Sequence, residues 1–253
     1  WFQKFTDEMS QPVMKKDTVY ANPLEQIEEF RFDASVADVF ENMINRSVPG
    51  YPLVLDLIGV LTEKYAVENT NCYDLGCSLG ASTLKIRQHL PESCHLVGVD
   101  NSRVMVERCR ANIDRDHSQA TVEILEQRLQ DTIIENASIV VINFTLQFIP
   151  DDERQAVINS IAEGINKGGA LILSEKVRFE DDSLQDAMTE LHHAFKKYQG
   201  YSDLEVAQKR ASLENVLIPN SEQQHIERLT MAGFESAQTF VRCFNFASFL
   251  AVR

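Results

Sequence analysis

The chain has 253 residues, 44% of them hydrophobic and 25% charged, which is the composition of a soluble globular protein with room for one α/β domain and some insertions. Its formal net charge of −14 sets the surface against a polyphosphate backbone, so direct nucleic-acid binding by this chain alone is not expected. No apolar run approaches a membrane span, the first residues carry no secretory pattern, and Cys72, Cys77, Cys94, Cys109 and Cys243 lack paired metal spacing, so a cytoplasmic protein with reduced thiols, no metal and no membrane partner is expected.

Residues 1 to about 30 are polar and weakly patterned, with Pro12 and Pro23 as breakers. They read as a partly ordered arm ahead of a single domain over 31–253. From Phe32 the pattern tightens, and Val36, Val39, Phe40, Met43 and Ile44 share one helical face. Arg46-Ser47-Val48-Pro49-Gly50-Tyr51-Pro52 is a rigid turn carrying an aromatic, and Tyr51 is either a lid over a ligand or a packing residue. An apolar helix over Leu53 to Tyr65 leads into the first strand.

That strand opens the most informative stretch, Asn71-Cys72-Tyr73-Asp74-Leu75-Gly76-Cys77-Ser78-Leu79-Gly80. A hydrophobic run ends near an acid, Gly76 and Gly80 stand four apart, and a helical pattern with Leu84 and Ile86 follows: strand, tight turn, helix. Glycine suits a turn beneath a ligand, because positive φ costs it little and no Cβ blocks close approach of the backbone. Cys77 either lines that turn or is a small buried residue. The next strand, His95 to Asp100, ends in a second acid about twenty residues beyond the glycines, where a ribose-binding carboxylate belongs. Asn101 or Ser102 caps the helix that follows. Two strand-end acids so spaced resemble an S-adenosylmethionine-binding fold more than an NAD-binding one.

A helix over Arg103 to Ile113 and a strand over Thr121 to Leu125 come next. Ser138 to Phe144 is β-branched and nearly continuous, as in a central parallel strand, and the polar Asn143 at its C-terminal end is a site candidate. A helix from Asp151 to about Ile165 stops at Asn166-Lys167-Gly168-Gly169, and a fifth strand runs from Ala170 to Glu175. The alternation predicts a doubly wound, mostly parallel, Rossmann-like sheet of seven strands. Helices over 184–198, 203–213 and 222–231 form an insertion at about 179–231, before two last strands over Glu235–Phe240 and Ala247–Val252. His192-His193 with Lys196-Lys197 reads as a solvated helix face rather than a catalytic pair. Arg210 is the better candidate, since a guanidinium matches a carboxylate bidentately.

Tyr73 to Ala81, Arg46 to Tyr51, Asn143-Phe144-Thr145-Leu146-Gln147-Phe148, Leu173-Ser174-Glu175-Lys176, Gly200-Tyr201-Ser202, Gln208-Lys209-Arg210, Leu213 to Val216 and Cys243 to Phe246 together closely resemble the bacterial carboxy-S-adenosyl-L-methionine synthases. The resemblance covers nearly everything after about residue 30. It implies a class I methyltransferase fold that converts S-adenosyl-L-methionine and prephenate into carboxy-S-adenosyl-L-methionine and phenylpyruvate. A sulfonium ylide captures the carbon dioxide that prephenate releases, and a partner tRNA carboxymethyltransferase uses the product on wobble uridine. By position, Tyr51, Gly76, Cys77, Ser78, Asp100, Asn101 and Asn143 are expected at the adenosyl and amino-acid parts, and Arg210 at the carboxylate added to the methyl group. Homodimers are implied, with the helical insertion as contact surface. Where the family carries Gly-Asp-Ile beside the adenine amino group, this chain reads Gln127-Arg128-Leu129. Leu129 keeps the apolar position, but Arg128 cannot accept a hydrogen bond, a loss of about 1 kcal/mol. A conventional small-molecule methyltransferase and a non-catalytic binder of S-adenosylmethionine are the alternatives.

Overall fold

The structure is a computed structural model and describes residues 15–253. Strands β1 (Asn71–Leu75), β2 (His95–Asp100), β3 (Thr121–Glu126), β4 (Ala137–Asn143), β5 (Ile165–Arg178), β6 (Asn220–Ser221), β7 (Ser236–Cys243) and β8 (Phe246–Val252) alternate with helices α1 (Ala34–Ala37), α2 (Phe40–Ser47), α3 (Tyr51–Tyr65), α4 (Ala81–His89), α5 (Arg103–Ile113), α6 (Asp151–Gly164), α7 (Asp182–Tyr198), α8 (Asp203–Leu213) and α9 (Glu222–Met231). The sheet order is β3-β2-β1-β4-β5-β8-β7, with two-residue β6 attached to β5. The first five strands of that order run parallel, and β8 pairs antiparallel with both β5 and β7. This is the doubly wound sheet expected from the sequence.

Side chains alternate across the central strands, so both faces are apolar. Tyr73, Leu75, Val97, Val99, Val140, Ile142, Leu171 and Leu173 face Val157, Ile158 and Ile161 of α6 and Leu229 of α9. Cys72, Leu96, Ile139, Val141 and Ile172 face Val54 and Ile58 of α3 and Ile86 of α4. Leu229 of α9 packs on this core, whereas residues of α7 and α8 line the cavity at the strand ends.

Three elements depart from the expected boundaries. The helix anticipated from Phe32 is two short ones, broken at Val39, whose φ of −125° and ψ of 5° are not helical. The stop anticipated at Asn166 to Gly169 lies inside β5: Gly168, at φ +82°, absorbs an irregularity in the pairing with β4, and the strand continues. Of the arm anticipated over 1–30, residues 1–14 lie outside the described residues. From Asp17 the segment is anchored at Asp17, Tyr20 and Phe30, with Tyr20 and Phe30 buried beside Val36, Met43 and Met105, while residues 21–29 are exposed. Gln208 of α8 holds it, accepting from Leu24 N at 2.8 Å and donating to the carbonyls of Tyr20 and Asn22 at 3.0 and 2.9 Å.

The loop after β4 is clamped from below. Glu175 accepts from the amides of Leu146 and Gln147 at 2.8 and 2.9 Å. Arg154, 1% exposed, donates to the carbonyls of Ile149 and Gln147 and to Asn220 Oδ1. Truncating it strands three buried acceptors. Arg154→Ala is expected to lower unfolding free energy in urea by about 3 kcal/mol, and a loss below about 1 kcal/mol would mean that water replaces those bonds.

Candidate functional site

The C-terminal ends of β1, β2 and β4 open beneath α2, α7 and α8 into a cavity of about 700 Å³. Its floor is the turn after β1, where Gly76 and Gly80 adopt φ of +91° and +89°. A Cβ at Gly76 would lie 2.1 Å from Thr145 Oγ1, so this turn abuts the loop after β4 with no space for a methyl group. Gly76, Cys77, Ser78, Asp100, Asn101, Leu129, Asn143 and Tyr51 all line the cavity.

Asp100 joins two elements. Its Oδ2 accepts from Ser78 N at 2.9 Å and its Oδ1 from Ser102 N at 2.8 Å. Burial raises its pKa, and the two backbone bonds act against that rise. A carboxylate has about four acceptor sites, so each oxygen keeps capacity for a ligand hydroxyl. Asn143 donates to Ser82 Oγ at 3.0 Å, while its buried Oδ1 has no partner among the described residues. Such an acceptor, beside the half-buried backbone of Gly76, suits a ligand carrying hydrogen-bond donors. Tyr51 packs against Phe144 at 6.2 Å between ring centroids, and Phe144 against Phe246 at 5.9 Å. Phe144 sits at φ +59°, strained backbone of the kind that active sites retain.

The sequence had offered His192-His193 with Lys196-Lys197 as a solvated face, and this needs correction. His192 and Lys196, one helical turn apart, are 4% and 6% exposed and line the cavity. His193 and Lys197 point the other way. The neutral His192 ring donates through Nε2 to Ser47 O at 2.8 Å, its pKa pushed well down by burial and then by Lys196 and Lys176. Lys176 at the end of β5 and Lys209 of α8 complete a cationic end of the cavity.

Two expected site residues lie elsewhere. Arg210 is on the exposed side of α8, lining a separate surface hollow with His193, Lys197 and Asp203. It follows the inward-facing Gln208 and Lys209, and helical geometry carries it away from them. Arg128 is half-exposed and donates to Glu153 Oε2 at 3.0 Å, outside the cavity lining. The polar side chain beside Leu129 in the lining is Gln130, whose Nε2 donates to the same Glu153 oxygen at 2.8 Å. A carboxylate cannot donate, so the amide is oriented with its carbonyl oxygen free.

Residues 73–169 match the family described as a methyltransferase domain. A carboxy-S-adenosyl-L-methionine synthase of Hahella chejuensis is 52% identical over 94% of this chain and 98% of its own length. The enzyme of the same name from Klebsiella pneumoniae is 46% identical over 94% and 97%. The chain belongs to the carboxy-S-adenosyl-L-methionine synthase family. Solved structures share the fold at low identity. The magnesium protoporphyrin IX methyltransferase of Synechocystis PCC 6803, with bound SAM, is 17% identical with a TM-score of 0.55 over 84% of each chain. An O-methyltransferase family protein of Burkholderia thailandensis is 17% identical with a TM-score of 0.62, covering 87% of this chain and 60% of that one.

Asp74, beneath the glycine turn, has its pKa pushed up to about 7, by burial first and by Asp100 as well, against the hydrogen bond from Thr83 Oγ1. Below pH 3.8 both folded and unfolded chains hold this proton; as the pH rises to 7 only the unfolded chain releases it freely, so the associated stability is lost across that window. Asp74→Asn is expected to flatten this part of the profile in urea unfolding followed against pH. Glu175, raised to about 8 by burial, loses stability in the same direction and remains in the variant as an internal control. An unchanged slope would show Asp74 ionised in the native protein.

Proposed function

We propose that this chain converts S-adenosyl-L-methionine and prephenate into carboxy-S-adenosyl-L-methionine and phenylpyruvate, and that a tRNA carboxymethyltransferase consumes the product at wobble uridine. Family membership over nearly the whole chain carries the reading. As a member of that family the chain is a transferase using S-adenosylmethionine. The transferred carbon dioxide comes from prephenate, which also loses hydroxide; the hydroxide leaves as water with the proton taken from the S-methyl group. The protein's task is then to hold two small molecules together and keep water out.

In this reading Asp100 takes the ribose hydroxyls and the Gly76–Ser78 backbone passes beneath the sugar. Asn143 Oδ1 accepts from the α-ammonium, and Leu129 packs on the adenine. Gln130 replaces the missing acid: its free carbonyl oxygen accepts from the adenine amino group, while Arg128 acts only through Glu153. A cytoplasmic setting accords with these substrates, and no described helix is long and apolar enough to cross a membrane.

Arg210 in its exposed position favours a second reading, ordinary methyl transfer, for the isolated chain. A homodimer reconciles it with carboxyl recognition. On α7, Leu184, Leu191 and Tyr198 repeat every seven residues and are 40%, 43% and 88% exposed, an apolar stripe that a second copy would cover. Arg210 then meets the new carboxylate once the dimer forms.

Mass spectrometry of protein incubated with both substrates is expected to show a carboxylated sulfonium species together with phenylpyruvate. Methylated product, or both substrates unchanged, would overturn the synthase reading. Arg210→Ala and Tyr198→Asp are expected to lower carboxylated product at least about 100-fold while S-adenosylmethionine still binds, with Tyr198→Asp also monomeric in sedimentation. Gln130→Ala is expected to weaken S-adenosylmethionine about tenfold by calorimetry and Arg128→Ala less, and an effect of Gln130→Ala no larger than that of Arg128→Ala would overturn the Gln130 contact.

A further inference from the structure

We propose that Lys176, Lys196 and Lys209 form a receptor for a dicarboxylate at the end of the cavity opposite the glycine turn, and that it holds the two carboxylates of the second substrate. The inference rests on the reading that this substrate is prephenate, and names the groups that bind it.

The chain carries a net charge of −14, yet three ammonium groups from β5, α7 and α8 converge on one end of one cavity. Burying an ammonium group is costly unless an anion accompanies it. Lys209, 5% exposed, is the partly compensated member: Nζ donates to Ser47 Oγ at 3.0 Å and lies 4.0 Å from Asp17 Oδ2. Asp17 is itself shared, accepting from the Tyr201 hydroxyl and from Val19 N. Lys196, 6% exposed, and Lys176 have no carboxylate within salt-bridge reach among the described residues. The three are close enough to oppose one another's charge. Burial first, then Lys209 and Lys176, bring Lys196 down to about 7, and burial with Arg210 lowers Lys176.

Two ammonium groups without counter-ions and a third half-matched set the ligand's charge. A monoanion leaves one lysine unpaired, whereas two carboxylates neutralise both and restore full protonation to Lys196. His192 is neutral and fixed to Ser47, so it adds a wall rather than a charge. Its ring stacks edge-on to Phe246 at 4.9 Å, which places an aromatic surface beside the lysines for the ring of the same substrate.

The test compares Lys196→Met and Lys176→Met with Lys196→Arg. Each Met variant is expected to raise the KM for prephenate about 30- to 100-fold and to change that for S-adenosylmethionine less than about threefold, while Lys196→Arg recovers most of the loss. Without ligand, the Tm of Lys196→Met is expected to equal or exceed that of the unsubstituted protein, because an unpaired buried charge has been removed. A Tm several degrees lower would make the lysine structural. A loss confined to S-adenosylmethionine would assign the cluster to the methionine carboxylate, and either result overturns the proposal. Malonate binding, followed by calorimetry with S-adenosylhomocysteine present, separates the two levels. If the unsubstituted protein makes no product from prephenate but binds malonate, and Lys196→Met does not bind it, the receptor stands and the substrate assignment falls. Malonate binding equally well to both would overturn the receptor whatever the protein does with prephenate.

Discussion

The absent Cβ of Gly76 is what lets the two halves of the sheet meet over one ligand. With Thr145 Oγ1 only 2.1 Å from where that Cβ would stand, the turn after β1 and the loop after β4 touch backbone to side chain. A methyl group would drive them apart and carry Asn143 away from Asp100. Both sides of this contact are braced by buried carboxylates. Asp100 ties Ser78 to Ser102 across the end of β2, and Glu175 caps the amides of Leu146 and Gln147 after β4. Each carboxylate does in the fold what a helix N-cap does locally, satisfying backbone donors that a tight turn leaves without partners.

Much of this was legible in the sequence because it is local. A β-branched run, a glycine needing positive φ and an acid closing a strand are features of a few adjacent residues, and β1, β2, β4, α5 and α8 fall where those features predict them. Gly76, Asp100 and Asn143 were likewise visible as strand-end residues, since open α/β sheets bind ligands at that edge. The bulge within β5 was hidden because Gly168-Gly169 gives the same signal for a stop as for an irregular strand.

The cationic end was obscured for a different reason. In α7 the apolar Leu184 and Leu191 are exposed, while His192 and Lys196 are buried, which inverts the usual pattern of an amphipathic helix. Periodicity reports that a helix has two faces. It reports which face is inside only when burial follows hydrophobicity, and a polar cavity on one side with an apolar stripe on the other breaks that link. Arg210 shows the same difficulty: Gln208, Lys209 and Arg210 are consecutive, but 100° per residue sends the third to solvent while the first two turn inward.

The resulting cavity is polarised, and on the proposed reading that polarity would order two occupants. Asp100 stands at the glycine end and the lysines at the other, with aromatic rings of Tyr51, Phe144 and Phe246 between them. A sulfonium-bearing molecule is repelled from the lysines and drawn toward Asp100, and the rings between them tolerate its positive centre. The dicarboxylate proposed as second substrate would experience the reverse and be drawn to the lysines. Neither molecule is comfortable in the other's place. Low dielectric inside the cavity strengthens both preferences, and the acidic exterior adds a barrier that only an anion with strong interior compensation overcomes. Two such ligands would also attract one another across the aromatic gap. Under the proposed reading, each would therefore neutralise part of the field that the other would meet alone.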